Sequence, residues 1–426
     1  MNLLIKNVQT FLPNGEVKEK NIIIEGNIIK AVADAVPADF KADKVIDGKD
    51  KFAVPGLVNA HTHASMTLLR SYADDMSLMP WLNDKIWPVE AKMKCEDIYW
   101  GAMLAAIEMI KSGTTAFADM YGPCMEEVAK VATDAGLRAV LSQGLIGVAP
   151  DADKKLESNI ALYKDFNNTA NGRVTVMLGP HALYTCPPEY LKKVADAANK
   201  LNAEIHIHMS ETEVEVKDCL KNYGKRPFAH VESTGLFENG TLAAHCVHVD
   251  DEDIAIMKKH NIRVAHNPGS NLKLASGIAP VAKLLDKGVT VALGTDGASS
   301  NNNLDMLEEM RLAALVAKVE ANDPKAVPAL TALKMGTEYG ATALNLDKVG
   351  KIEAGYKADI VLYDTTGAHW HPNFNPVSLL IYSANSADTD AVIVDGKVLM
   401  ENKTLVTIDE EKVYFEVDKC VKRLIG

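Results

Sequence analysis

The chain has 426 residues, 47% hydrophobic and 24% charged, with a formal net charge of −12. That length exceeds one small domain and suits a barrel of ~250 residues with an accessory domain. The composition is that of a globular protein, and an acidic chain with no basic cluster excludes a nucleic-acid partner.

No run reaches the ~20 apolar residues needed to span a bilayer, and Met1 to Phe11 carries no small-residue cleavage site. A cytoplasmic protein with no membrane partner is expected. The six cysteines, Cys95, Cys124, Cys186, Cys219, Cys246 and Cys420, are scattered without a CxxC spacing, and reduced core thiols are expected for all of them.

From the N-terminus, Asn2–Val8 reads as a strand, followed by a Pro-Asn-Gly turn at 13–15. Asn21–Ile29 reads as a hairpin around Gly26-Asn27. The C-terminal stretch has the same character: Ala358–Asp364 and Ala391–Leu399 read as strands, the latter turning at Asp395-Gly396. Few strands alone bury enough surface to be stable, so the two ends are expected to pair as one discontinuous β-sandwich domain, 1–55 plus 350–426.

Between them, residues 56–349 alternate strand-like and helical runs. The strands end at His61-Thr62-His63, Asp119, Gln143, His181, His208, His245, Asn267-Pro268 and Asp296, which makes eight. Helical stretches such as 100–111, 126–135 and 281–287 separate them. Eight strand-then-helix units predict an α/β fold of the (β/α)₈ TIM-barrel type. An open doubly wound sheet is the weaker reading, because no glycine-rich phosphate loop follows an early strand. Polar and ionisable residues gather at the strand ends, which form the catalytic face of such a barrel.

His61 and His63, two apart on a strand, project to one face. Together with His208 and Asp296, from the ends of the fifth and eighth strands, they make a metal set of three imidazoles and one carboxylate. Zinc suits it, with Fe²⁺, Mn²⁺ or Co²⁺ as alternatives. A metal there would lower the pKa of a bound water to roughly 7.

Pro55–His63, His208-Met209-Ser210-Glu211-Thr212, His245 and Gly294-Thr295-Asp296 together resemble the amidohydrolase superfamily over the whole chain. They are most similar to its mononuclear deaminase and chlorohydrolase branch. Binuclear members carry a bridging lysine after strand four. Here that strand ends Leu178-Gly179-Pro180-His181, so the resemblance implies one metal per subunit. It also implies that Glu211 shuttles protons, although a first-turn acid of the next helix would occupy the same position. His245 and Asp296 would contact the attacking water, with Asp296 also a metal ligand.

The family's ribose-binding glutamate falls at Glu90, a sound acceptor for vicinal hydroxyls. Its nucleoside-contacting histidine falls at His181. Where many relatives carry arginine, this chain has Gln143, which favours a neutral nucleoside. His206 shares a face with His208 and reads as structural; the roles of His248 and His266 stay open. His230, His260, His369 and His371 read as surface or packing residues. The implied reaction is hydrolytic deamination of an adenine nucleoside, whether 5′-methylthioadenosine, S-adenosylhomocysteine, 5′-deoxyadenosine or adenosine. Guanine deamination and triazine dechlorination are the rival chemistries. A non-enzymatic scaffold would be expected to have lost metal ligands. Assembly into homo-oligomers is left open.

Overall fold

A computed structural model describes residues 1–426. All eight strand regions of the central segment form, and every pairing among them is parallel. Leu57–Thr62, Thr114–Tyr121, Arg138–Leu145 and the split fourth strand, Val174–Val176 and Gly179–Pro180, make one sheet. Ile205–Met209, Thr241–His245, Arg263–His266 and Val291–Leu293 make the other.

Backbone bonds link the two sheets on one side, from Leu178 N to Glu204 O and from His206 N to Leu178 O, both 2.9 Å. On the other side Asp296 N donates to His61 O at 3.0 Å. The first and eighth strands are therefore neighbours, as expected. The fourth strand is interrupted at Met177 and Leu178, and its second piece ends at Pro180, which has no amide to donate. Gly179 there approaches so closely that a Cβ would lie 2.6 Å from Gln143 O.

Helices such as Cys95–Lys111, Met125–Ala135, Pro188–Leu201 and Met306–Glu320 separate the strands, rich in buried Ala, Val, Leu and Met. Several start under side-chain caps close to strand exits: Thr212 accepts from Glu215 N, Asp250 from Glu252 N and Asp253 N, and Asp305 from Leu307 N. Between the two sheets lies a small core in which Val58, Ala60, Ala118, Val140, Leu242 and Ala292 meet Ala341 and Leu344 from below. Small side chains there match the narrow space inside a ring of strands.

The chain ends join in one nine-stranded sheet, where a sandwich of two sheets was expected. Asp359 and Asp395 stand at its junction with the central strands. Ile360 pairs with Pro55, so the C-terminal strands reach the N-terminal ones through Lys51–Pro55. One face of this sheet encloses its own core of Leu3, Ile5, Ile24, Ile29, Ile360 and Ile393. The alternate positions Phe52, Val54, Val361 and Tyr363 pack into the main core. Period-two alternation of buried residues thus serves two cores at once.

The cysteine expectation is corrected. Cys95 and Cys124 form a disulfide with a Cα–Cα distance of 5.3 Å, while Cys186, Cys219, Cys246 and Cys420 are free and buried. The helix from Cys95 and the strand Thr114–Tyr121 run back on each other, so residues 29 apart become neighbours. No local spacing announces such a pair. No helix is long and apolar enough to cross a membrane.

Candidate active site

The strand ends converge as the sequence predicts. Asn59 Nδ2 donates to Thr295 Oγ1 at 2.7 Å, Thr295 N donates to Asn59 Oδ1 at 3.0 Å, and Thr62 Oγ1 donates to Asp296 O at 2.9 Å. These bonds fasten His61 and His63 beside Asp296. Gly294 is required at this seam, since a Cβ would lie 2.5 Å from Asn267 Oδ1 and 2.7 Å from His61 O. Ser210, His245 and Asp296 adopt left-handed φ of 50°, 73° and 60°, so the fifth, sixth and eighth strands all turn sharply at the site.

Each imidazole of the cluster has its Nδ1 occupied and its Nε2 turned inward. His63 Nδ1 donates to Met120 O, His208 Nδ1 to His181 O at 2.8 Å, and His245 Nδ1 to Asn271 Oδ1 at 2.8 Å. His61 Nδ1 meets His206 Nε2 at 2.8 Å. Asp296 Oδ1 lies 3.4 Å from His61 Nε2 and 3.1 Å from His63 Nε2, while its Oδ2 accepts from Ser270 Oγ at 2.6 Å and Ser300 Oγ at 3.0 Å. Burial opposes the charge on Asp296, but the His61 and His63 rings hold it well below the usual carboxylate range. In turn, Asp296 overcomes burial at His63 and raises it to about 9. Burial pushes His61 down to about 4 and His208 well below its ordinary value, keeping both neutral and able to ligate.

These residues fit a metal. His61 Nε2 is buried with no hydrogen-bond partner. His61, His208 and His245 bring ligand atoms within 4.8 Å of one another, as do His61, His63 and Asp296. Imidazole nitrogens beside one carboxylate oxygen are a zinc-type donor set, in which a cation would take the place of the proton that Asp296 favours on His63. His245, expected only to touch the water, stands as near this cluster as the expected ligands do.

Glu211 is buried, precedes the cap residue Thr212, and so is not a first-turn acid of the helix. Ser276 Oγ donates to its Oε1 at 3.3 Å, and its Oε2 lies 3.8 Å from His245 Nε2. Burial raises its pKa. Glu215, at the start of the helix, accepts from both Ser210 N and Glu211 N at 2.9 Å and fixes this turn.

A cavity of about 670 Å³ opens over these groups and is lined by His63, His208, Glu211, Asp296, Glu90 and His181, with Gln143 also on its wall. That volume suits a small-molecule ligand. Glu90 ends a run of short helical turns, Leu78–Pro80, the π-helical Trp81–Ile86 and Trp87–Glu90, whose Trp81, Leu82 and Trp87 face the same cavity. Burial lowers His181 to about 3, and its Nδ1 meets Thr185 Oγ1 at 2.9 Å. A second cavity of about 760 Å³ adjoins the first across Leu78, Val148, Tyr184 and Leu274.

Several residues of the site were not read from the sequence. Tyr121, Ser270, Asn271, Ser276 and Ser300 orient Glu90, Asp296, His245 and Glu211. Asn267-Pro268-Gly269-Ser270-Asn271, polar and directly after a strand, was the available signal. His266 is buried with neither ring nitrogen bonded, and His248 Nε2 meets Ser276 O at 2.7 Å. His230 stacks on Tyr223, His260 pairs with Glu232 and His369 with Asp388, all away from the cavity.

An α/β array that gathers imidazoles and carboxylates at its strand ends over a cavity has the makings of a metal-dependent hydrolase. The chain belongs to the amidohydrolase family, whose profile matches residues 52–399. It is 51% identical over 416 residues to a 5-methylthioadenosine/S-adenosylhomocysteine deaminase of Pelotomaculum thermopropionicum, covering 97% of this chain and 96% of that one. An adenosine deaminase from Xanthomonas campestris with bound zinc superposes with a TM-score of 0.94 at 33% identity, covering 99% of this chain and 98% of that one. An atrazine chlorohydrolase from Arthrobacter aurescens complexed with zinc superposes with a TM-score of 0.91 at 25% identity, covering 98% and 100%.

Proposed function

We propose that this protein hydrolyses the 6-amino group of adenine nucleosides, releasing ammonia and the inosine analogue. The observation that carries the reading is that Glu211, His63, His208 and Asp296 share one cavity with Glu90, with His61 buried directly behind Asp296, in a chain 51% identical to a 5-methylthioadenosine/S-adenosylhomocysteine deaminase along nearly its full length. The two parallel sheets are taken as one (β/α)₈ barrel over 56–349, and the joined ends, 1–55 plus 350–426, as the accessory domain.

His61, His63, His208 and Asp296 would hold one divalent metal, zinc in the first instance. Bound there, the metal supplies a Lewis acid that brings a water's pKa to about 7. Glu211 takes a proton from the attacking water and passes it to purine N1, which makes C6 electrophilic. His245 presents Nε2 as an acceptor beside Glu211, because its Nδ1 proton is committed to Asn271. Asp296, held anionic, accepts the second proton of the water and fixes the direction of attack on C6. As the C6–N6 bond breaks, Asp296 hands that second proton to the departing amine, so ammonia leaves and the product keeps the N1 proton and the new C6 oxygen.

Glu90 accepts the ribose hydroxyls and His181 contacts the nucleoside. Gln143 brings no charge to the wall, which favours methylthioadenosine, deoxyadenosine or adenosine over a carboxylate-bearing substituent. The test is a panel of 5′-methylthioadenosine, S-adenosylhomocysteine, adenosine, guanine and a chlorotriazine offered to zinc-loaded protein. Turnover confined to the ribosylated adenines is expected. Preferred turnover of guanine or the triazine would replace this reading with one of its rivals.

A further inference from the structure

We infer that His206 is a positioning residue that sets the tautomer of His61, through a one-way hydrogen-bond chain ending on a backbone carbonyl. The inference rests on the proposed role of His61 as a metal ligand. Four buried groups from four different strands form the chain. His61 Nδ1 lies 2.8 Å from His206 Nε2, His206 Nδ1 lies 3.3 Å from Ser142 Oγ, and Ser142 Oγ donates to Asp119 O at 3.2 Å. His61, His206 and Ser142 are each at most 1% exposed, so water does not compete for these bonds.

The far end fixes the direction. A carbonyl oxygen only accepts, so the Ser142 hydroxyl spends its one proton on Asp119. Its oxygen must then accept from His206 Nδ1–H. Neutral His206 is left with a lone pair on Nε2, which accepts from His61 Nδ1–H. His61 therefore turns an unprotonated Nε2 toward the donor cluster, and that is the buried atom with no partner of its own. Reversing the chain would put a proton on this nitrogen and remove it as a ligand.

His63, His208 and His245 obtain the same result from oxygen acceptors. Only His61 depends on a second imidazole, so only at His61 can a remote hydroxyl decide the tautomer. The two ring nitrogens of His206 meet only Ser142 Oγ and His61 Nδ1, with no carboxylate beside them.

The test measures zinc affinity by chelator competition, with ¹⁵N-imidazole NMR of the zinc-loaded protein. His206→Phe keeps the ring volume but removes the acceptor, and should lose roughly 10–100-fold in affinity, the range for outer-shell partners of ligating histidines. His206→Gln places an acceptor near the former Nε2 and should restore affinity to within a few-fold of wild type. The NMR spectrum should show the His61 proton on Nδ1. Ser142→Ala, a smaller change that serves if His206→Phe does not fold, should also weaken zinc binding and make the His206 tautomer heterogeneous. Wild-type affinity in His206→Phe or Ser142→Ala, or a Gln variant as weak as the Phe variant, overturns the inference while leaving the site intact. Undiminished affinity in His61→Ala would instead overturn the ligand assignment, and the inference with it.

Discussion

Tyr121 Oη donates to Glu90 Oε1 at 2.7 Å, and this bond joins the end of a central strand to the run of short helical turns that covers the cavity. The Tyr121 ring packs in the main core, so it gives Glu90 a fixed reference that the short turns themselves lack. Tyr121→Phe should keep the fold and raise KM for the nucleoside by about tenfold or more, because one hydrogen bond to a charged group is worth about 1.5–3 kcal/mol. Glu90→Gln should do more. Steady-state kinetics on adenosine and its 2′,3′-dideoxy analogue check this: the analogue, lacking both hydroxyls, should be insensitive to either change.

The same pair predicts a pH effect. Burial pushes Glu90 above the ordinary glutamate range, and the Tyr121 hydroxyl partly offsets it. A raised carboxyl pKa means that on acidification Glu90 takes up its proton earlier than a surface glutamate would. It then loses acceptor capacity for ribose hydroxyls. Nucleoside affinity should therefore fall with decreasing pH, starting above the usual carboxylate range. In Tyr121→Phe that fall should begin at still higher pH. Inhibitor binding measured across pH for both proteins reads the shift directly.

Glu211 bonds with Ser276 and faces His245 without belonging to the proposed donor set. Glu211→Gln should retain zinc, measured by elemental analysis, and lose turnover by roughly 10²–10⁴, the usual contribution of a positioned acid–base group. A variant that loses zinc as well would make Glu211 part of the donor set.

Away from the site, Arg138 at the start of its strand donates to Asp359 Oδ2 at 2.5 Å and Oδ1 at 2.9 Å, and to Asp395 Oδ1 at 2.9 Å. All three side chains are buried, and they tie the central strands to the sheet built from the chain ends. Arg138→Met leaves two buried carboxylates without their cation. It should destabilise by about 3–5 kcal/mol, seen as a lower melting temperature, with the zinc site unchanged in the protein that remains folded.

The strand ends were legible because each carries a polar or ionisable residue directly after an apolar run, a local pattern. His61, His63, His208 and Asp296 met as expected because strand order in this fold follows chain order. The supporting hydroxyls and amides were not legible. Ser270, Ser276 and Ser300 look like ordinary loop residues until the turn after a strand aims them at Asp296 or Glu211. Tyr121 lies just past the strand end read at Asp119, and nothing local points it to its partner Glu90, 31 residues earlier. The Cys95–Cys124 bridge was missed for the same reason: it depends on a helix and a strand folding back on each other. His206 read as structural because sequence shows which strand face a residue occupies, not the direction of its hydrogen bonds.

The central claim is hydrolytic removal of the 6-amino group from an adenine nucleoside at this one site. Its most direct test follows ammonia and the purine product together, from 5′-methylthioadenosine and protein carrying one measured equivalent of zinc. Equimolar ammonia and 5′-methylthioinosine, abolished by Glu211→Gln, are predicted. No ammonia from this substrate, adenosine, 5′-deoxyadenosine or S-adenosylhomocysteine, with the zinc in place, would contradict it.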